Sequence, residues 1–88
     1  DFNDTLKSIN ARSTEESKVL SAKQIIASNC FTTAMIKRVL QIFPSEDKKL
    51  EIAKFSYAHT IDQGNYFKLN SEFKNESSID ELNKVIVK

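Results

Sequence analysis

Cysteine, histidine, glycine, proline and methionine occur once each among these 88 residues, and tryptophan is absent. One cysteine, Cys30, excludes an intramolecular disulfide and a thiolate-rich metal site. One histidine, His59, excludes His-pair metal motifs and makes any histidine-based triad depend on a single side chain. One glycine, Gly64, cannot build a phosphate-cradling loop or a dinucleotide fingerprint. Scarce glycine and proline also argue against a many-turned β sandwich and for helices joined by short polar loops. The apolar runs are only a few residues long, far short of the ~20 that cross a bilayer, so the expectation is no membrane insertion.

Charge of either sign is not in excess: 13 basic and 12 acidic side chains give a formal net charge of +1. Nucleic-acid binding usually needs a concentrated basic surface, so no nucleic-acid partner is expected. Lys37 and Arg38 with Lys48 and Lys49 read as solvated helix faces rather than a basic strip. Hydrophobic residues make up 40% and charged residues 28%, the balance of a globular domain able to fold alone. The reading is one domain over residues 1–88, cut from a longer protein.

What is present is a pattern that recurs. Glu16, Lys18, Val19, Ala22, Lys23 and Ile26 return 31 residues later as Asp47, Lys49, Leu50, Ala53, Lys54 and Tyr57. Leu6 and Ile9 are likewise echoed at a spacing of 30 by Ile36 and Val39, then by Tyr66 and Leu69. Such spacing suits arrays of helix pairs, each hiding its apolar stripe against its neighbours. The fold class read from this is all-α: about six short helices packed as successive antiparallel helical hairpins, in a compact bundle or short repeat-like array.

The helix boundaries follow from caps and periodicity. A first helix spans about Phe2 to Ala11, with Phe2, Leu6 and Ile9 on one stripe. Ser13 and Glu16 form a capping box for a second helix, whose inward face is Val19, Ala22, Ile26 and Cys30, widened by Leu20 and Ala27. Asn29 ends it. Thr32 caps a third helix, Phe31 stapling against Ile36, that runs through Met35, Val39, Leu40, Ile42 and Phe43 until Pro44 stops it. Ser45 caps a fourth, with Glu46 and Asp47 in its first turn. Asn65 caps a short fifth helix after Gly64 has closed the fourth in the left-handed conformation. Ser78 and Glu81 form a capping box for the last, which carries Ile79, Leu82, Val85 and Ile86.

The fourth helix is apolar on two sides: Leu50, Ala53, Tyr57 and Ile61 on one, Ile52, Phe55 and His59 almost opposite. A central helix covered on both faces explains this. The functional alternative puts Ile52 and Phe55 in a groove open to a partner helix or peptide, with His59 at its rim, and these three are the candidate partner-binding residues.

Catalytic chemistry has little support. His59 and Asp62 could be read as base and orienter, but no serine sits in a strand-to-helix elbow. Glu15, Glu16, Glu46 and Asp47 are explained by helix starts and lack the spacing of a calcium loop. No catalytic residue, metal ligand or cofactor is assigned, and the chain is not expected to be an enzyme. Asn3-Asp4-Thr5 and Asn75-Glu76-Ser77 match the glycosylation triplet by chance alone.

The run Lys23 to Phe31 ending in Asn29-Cys30-Phe31, then Phe43, Leu50 with Ala53-Lys54, Tyr57, Asp62, Phe73 and the stretch Ser78 to Leu82, resembles the family catalogued as domain of unknown function 4476. The resemblance covers nearly the whole chain. It implies a compact helical domain, often C-terminal in secreted or cell-envelope bacterial proteins, with no established activity and no catalytic residues to carry over. The functional expectation is a non-enzymatic protein-interaction or structural module whose partner is a protein or peptide. The alternative is a carrier of a small apolar ligand held near Tyr57, Tyr66 and Phe67.

Overall fold

The computed structural model describes residues 1–87. Among the described residues there are five α-helices: α1 (Phe2–Asn10), α2 (Glu15–Ser28), α3 (Thr33–Leu40), α4 (Glu46–Ser56) and α5 (Glu76–Ile86). A short 3₁₀ turn, Tyr57–His59, extends α4, and a longer 3₁₀ segment, Gln63–Glu72, stands where a fifth helix was expected. The all-α reading therefore holds, with one helix of the six wound more tightly than α.

The repeat is visible in where elements begin. The residues at the N-cap positions of α1, α3 and the long 3₁₀ segment are Asp1, Thr32 and Asp62, spaced 31 and then 30 apart. Those of α2, α4 and α5 are Thr14, Ser45 and Asn75, with the same spacings. Contacts follow suit. Each hairpin is closed by α1 on α2, α3 on α4, and the 3₁₀ segment on α5. Between hairpins, α3 touches α1 and the 3₁₀ segment in one layer, while α4 touches α2 and α5 in the other. The shortest dimension of the molecule, 17 Å, fits two helix layers at the ~8–10 Å spacing of packed helices.

Position in this array explains the double apolar face of α4. It lies in the middle of its layer, so Ile52, Ala53 and Ser56 are buried while Leu50 and Phe55 pack at the margin of the core. Ile52 is wholly enclosed and lines no open groove, which removes it from the candidate partner-binding set.

Several local expectations are corrected. Thr14, not Ser13, caps α2, its hydroxyl accepting from the Ser17 N–H at 3.1 Å. Leu20 is 69% exposed and Ala27 is exposed, because the buried stripe of α2 is only Val19, Ala22 and Ile26. Cys30 is exposed as well: the backbone turns extended at Asn29 (φ −141°, ψ 166°), so Cys30 leaves the helical wheel. α3 ends at Leu40, and the N–H groups of Ile42 and Phe43 bond three residues back, which still delivers Phe43 to the core. Gly64 has no positive φ; α4 is closed by the 3₁₀ turn and the extended Thr60. With the helix ended there, Ile61 falls off the inner face and is 66% exposed.

Two further starts differ from expectation. Ser78 is buried inside α5, whose first residue is Glu76, and Glu81 faces Lys54 instead of a cap. Asn65 lies within the 3₁₀ segment and donates to Asp62 at 3.0 Å. The period of that segment has a consequence of its own. Three residues per turn align Tyr66, Leu69 and Glu72 in one row. Tyr66 and Leu69 fill the core, and Glu72, with a side chain only 11% exposed, meets Lys49 at 3.7 Å and Lys37 at 4.0 Å. The Tyr66 hydroxyl donates to the Ala53 carbonyl at 2.5 Å, and burial pushes its pKa up.

Ion pairs repeat with the hairpins. Lys23 of α2 reaches Glu51 of α4 at 2.7 Å, and Lys54 of α4 reaches Glu81 of α5 at 3.3 Å. These pairs are partly solvated and select orientation more than they stabilise. Glu46 acts across elements: its carboxylate accepts the Lys74 and Asn75 N–H groups at 2.8 and 2.9 Å, fixing the entry to α5.

If α4 is the shared core helix, Ile52→Ala should cost about 2–5 kcal/mol in denaturant unfolding, the range for truncating a buried aliphatic side chain. Leu20→Ala, on the exposed face, should stay within about 0.5 kcal/mol of wild type. Equal losses at both positions would contradict the layered arrangement.

Candidate functional site

The loops after α2 and after α4 meet at one end of the molecule. Phe31 pairs with Thr60 in an isolated parallel bridge: the Phe31 N–H donates to the His59 carbonyl at 3.3 Å, and the Ile61 N–H donates to the Phe31 carbonyl at 2.8 Å. β-branched and aromatic residues favour this extended geometry. Opposed residues of a parallel pair point to the same side, and their neighbours point to the other. Phe31 and Thr60 accordingly go inward and are buried. Cys30 and His59 stay outside that core, Cys30 exposed and His59 half-buried at the end of the 3₁₀ turn.

They line a cleft of about 350 Å³ whose walls also include Asn29, Thr60 and the exposed Ile61. His59 is half-buried, its ring 5.2 Å from that of Phe55 at an interplanar angle of 34°. Lys23 Nζ stands 5.5 Å from the centroid of the Phe55 ring while bonded to Glu51. Lys23, with help from Lys48, holds the Glu51 carboxyl below its ordinary value. Of the three candidate partner-binding residues, Phe55 and His59 are thus brought together and Ile52 is not.

Asp62 lies just beyond the bridge but does not serve His59. Its carboxylate accepts from the Thr33 N–H at 2.7 Å, the Thr33 hydroxyl at 3.0 Å and the Asn65 amide at 3.0 Å. The Asn65 amide and the Thr33 N–H together lower its pKa from the ordinary 3.8. Asp62 therefore satisfies the start of α3 from a segment 29 residues away, a structural duty that ties two hairpins.

Sequence reasoning missed Cys30 and Ile61 as cleft residues because it continued two helices past their ends. The signal that marks the true ends is local: Phe31-Thr32-Thr33 and Thr60-Ile61-Asp62 each place β-branched residues beside a cap position.

The family model described as domain of unknown function (DUF4476) matches residues 1–86. The chain belongs to this family. No curated protein and no solved structure matches it. The family description carries no activity, so the chemistry of the DUF4476 domain has to be argued from its own residues. Among the described residues, no helix is long and apolar enough to cross a membrane, and no three His, Cys, Asp or Glu side chains gather as metal ligands.

Carboxylates with lowered pKa predict how the domain responds to acid. Asp62, Glu46, Glu51 and Glu81 all bind protons less readily when folded, through hydrogen bonds from Asn65 and Thr33, Lys74 and Asn75, Lys23, and Lys54 respectively. The unfolded chain takes up protons first as pH falls. Their stabilisation is complete above the ordinary values of 4.5 for glutamate and 3.8 for aspartate, and is lost as pH drops through the lower folded values. Thermal unfolding should hold steady from neutral pH downward and decline only below this window, and Asp62→Asn should make the decline shallower. A melting temperature that rises on acidification would contradict this.

Proposed function

We infer that this domain is a non-enzymatic recognition module that seats a polypeptide segment in the cleft beside the Phe31–Thr60 bridge. The observation that carries the reading is the position of Ile61. It is a large apolar side chain, 66% exposed, at the rim of a concavity whose other walls are small or polar. An apolar anchor with a polar surround is how peptide-binding surfaces are composed. Phe55 and His59 stiffen one wall by stacking, which lowers the ordering cost of binding. Among the described residues no backbone carbonyl accepts the Cys30 N–H, which offers a donor to an incoming carbonyl.

The carrier alternative finds less support. Tyr66 itself fills the space between the layers, packed edge-on to Tyr57 at 5.1 Å, and Phe67 is exposed rather than lining a chamber.

The test is selection of peptides from a displayed library on the folded chain, followed by affinity measurement against variants. Ile61→Asp should weaken the selected peptides by about tenfold or more, as loss of a central anchor does, with thermal unfolding unchanged. Amide shifts on peptide addition should cluster at residues 27–30 and 58–61. Peptides that bind Ile61→Asp as well as wild type, or shifts centred elsewhere, would overturn the reading.

A further inference from the structure

We propose, resting on the recognition reading above, that the segment seated in this cleft is basic: a lysine or arginine side chain docks on the backbone carbonyls where α2 and α4 end, beside an apolar residue that meets Ile61. An α-helix leaves its last four carbonyls without an intrahelical donor. In α2 the Asn29 side chain donates to the Ile25 carbonyl at 2.9 Å, and the Asn29 N–H to the Ile26 carbonyl at 3.3 Å. Among the described residues no group donates to the carbonyls of Ala27 and Ser28. The 3₁₀ turn that continues α4 repeats the situation. Thr60 and Gln63 serve the Tyr57 carbonyl at 3.2 and 2.9 Å, Phe31 serves that of His59, and that of Ala58 is left without a donor among the described residues. Ala27, Ser28 and Ala58 all line the cleft.

Electrostatics give the sign of the occupant. The carbonyl end of a helix carries partial negative charge that a cation complements. α2 has no basic residue in its last turn, and Lys54, the basic residue in the last turn of α4, is engaged with Glu81 at 3.3 Å. The N–H ends of the neighbouring helices are answered instead: Asp1 accepts at the start of α1, and Thr32 and Asp62 at the start of α3. Among the described residues no Lys, Arg, Asp or Glu side chain lines the cleft, so its unpaired carbonyls meet no charged side chain from those residues. An ammonium or guanidinium group brings several N–H donors and no acceptor, which suits a surface of acceptors, whereas a carboxylate is repelled there. The same segment can give a backbone carbonyl to the Cys30 N–H, so charge and backbone recognition do not compete.

The experiment takes the library-selected peptides whose binding shifts amides at residues 27–30 and 58–61 and is weakened by Ile61→Asp, which together define the cleft-bound set. Lysine or arginine should be enriched in that set next to an apolar residue. Replacing it by norleucine in a synthetic copy should weaken binding about tenfold or more, the scale of charge-assisted hydrogen bonds. On the protein side, Ala27 is exposed, so its charge can be changed without touching the core. At low salt Ala27→Lys should weaken the same peptides about threefold or more and Ala27→Glu should strengthen them by a similar factor, with both variants unfolding close to the wild-type temperature. Charge acts with opposite signs in the two variants, whereas added bulk acts with one. Ser28→Lys and Ser28→Glu, at the next exposed position, repeat the comparison should either variant fail to fold. Equal losses in the Lys and Glu variants would show bulk alone at work and overturn the basic partner. A cleft-bound set that is neutral or acidic would also overturn it while leaving the recognition reading in place, and a library that yields no cleft-bound peptide removes both.

Discussion

No hairpin of this chain can hide its own apolar surface, and α4 is where the shortage is resolved. A helix that is apolar on two faces is insoluble alone and stable only between neighbours. By sitting between α2 and α5 and against α3, α4 buries Ile52 and Ala53 completely and closes the core that Ile9, Ile26, Ile36, Tyr66 and Leu82 complete from the other elements. The array is therefore cooperative by construction: removing either flanking hairpin would expose one face of the middle one.

Polar groups set the order in which those faces meet. Lys23 with Glu51 and Lys54 with Glu81 repeat the same link from one hairpin to the next. Asp62 and Glu46 go further, each satisfying backbone N–H groups on a distant element. Hydrogen bonds of this kind are directional where burial is not, so they hold a register that a greasy interface would leave loose. The tightly wound Gln63–Glu72 segment belongs to the same logic, because only a three-residue period puts Glu72 in line with Tyr66 and Leu69 and within reach of Lys49.

The cleft arises where this order is interrupted. Between α2 and α3, and again between the 3₁₀ turn and Asp62, the backbone goes extended, and the two stretches find each other through Phe31 and Thr60. Phe31 and Thr60 are buried there, while Cys30, His59 and the exposed Ile61 line a cleft beside them. The only cysteine and the only histidine of the chain, 29 residues apart in sequence, thus line one cleft.

The sequence by itself determined the helical class, the hairpin repeat and most of the core, because 3.6-residue periodicity and the near-constant spacing of Ile9, Val39 and Leu69 are local or periodic signals. It also placed Thr32 and Ser45 correctly at helix starts. What only the tertiary structure decided is which of two apolar faces stays covered and which loops touch. Ile52 looked as available as Phe55 on a helical wheel, and only the neighbours of α4 distinguish them. Cys30 and Ile61 were assigned to helix faces, but both flank a long-range backbone pairing that ends those helices, and pairing between distant segments leaves no periodic trace in either one.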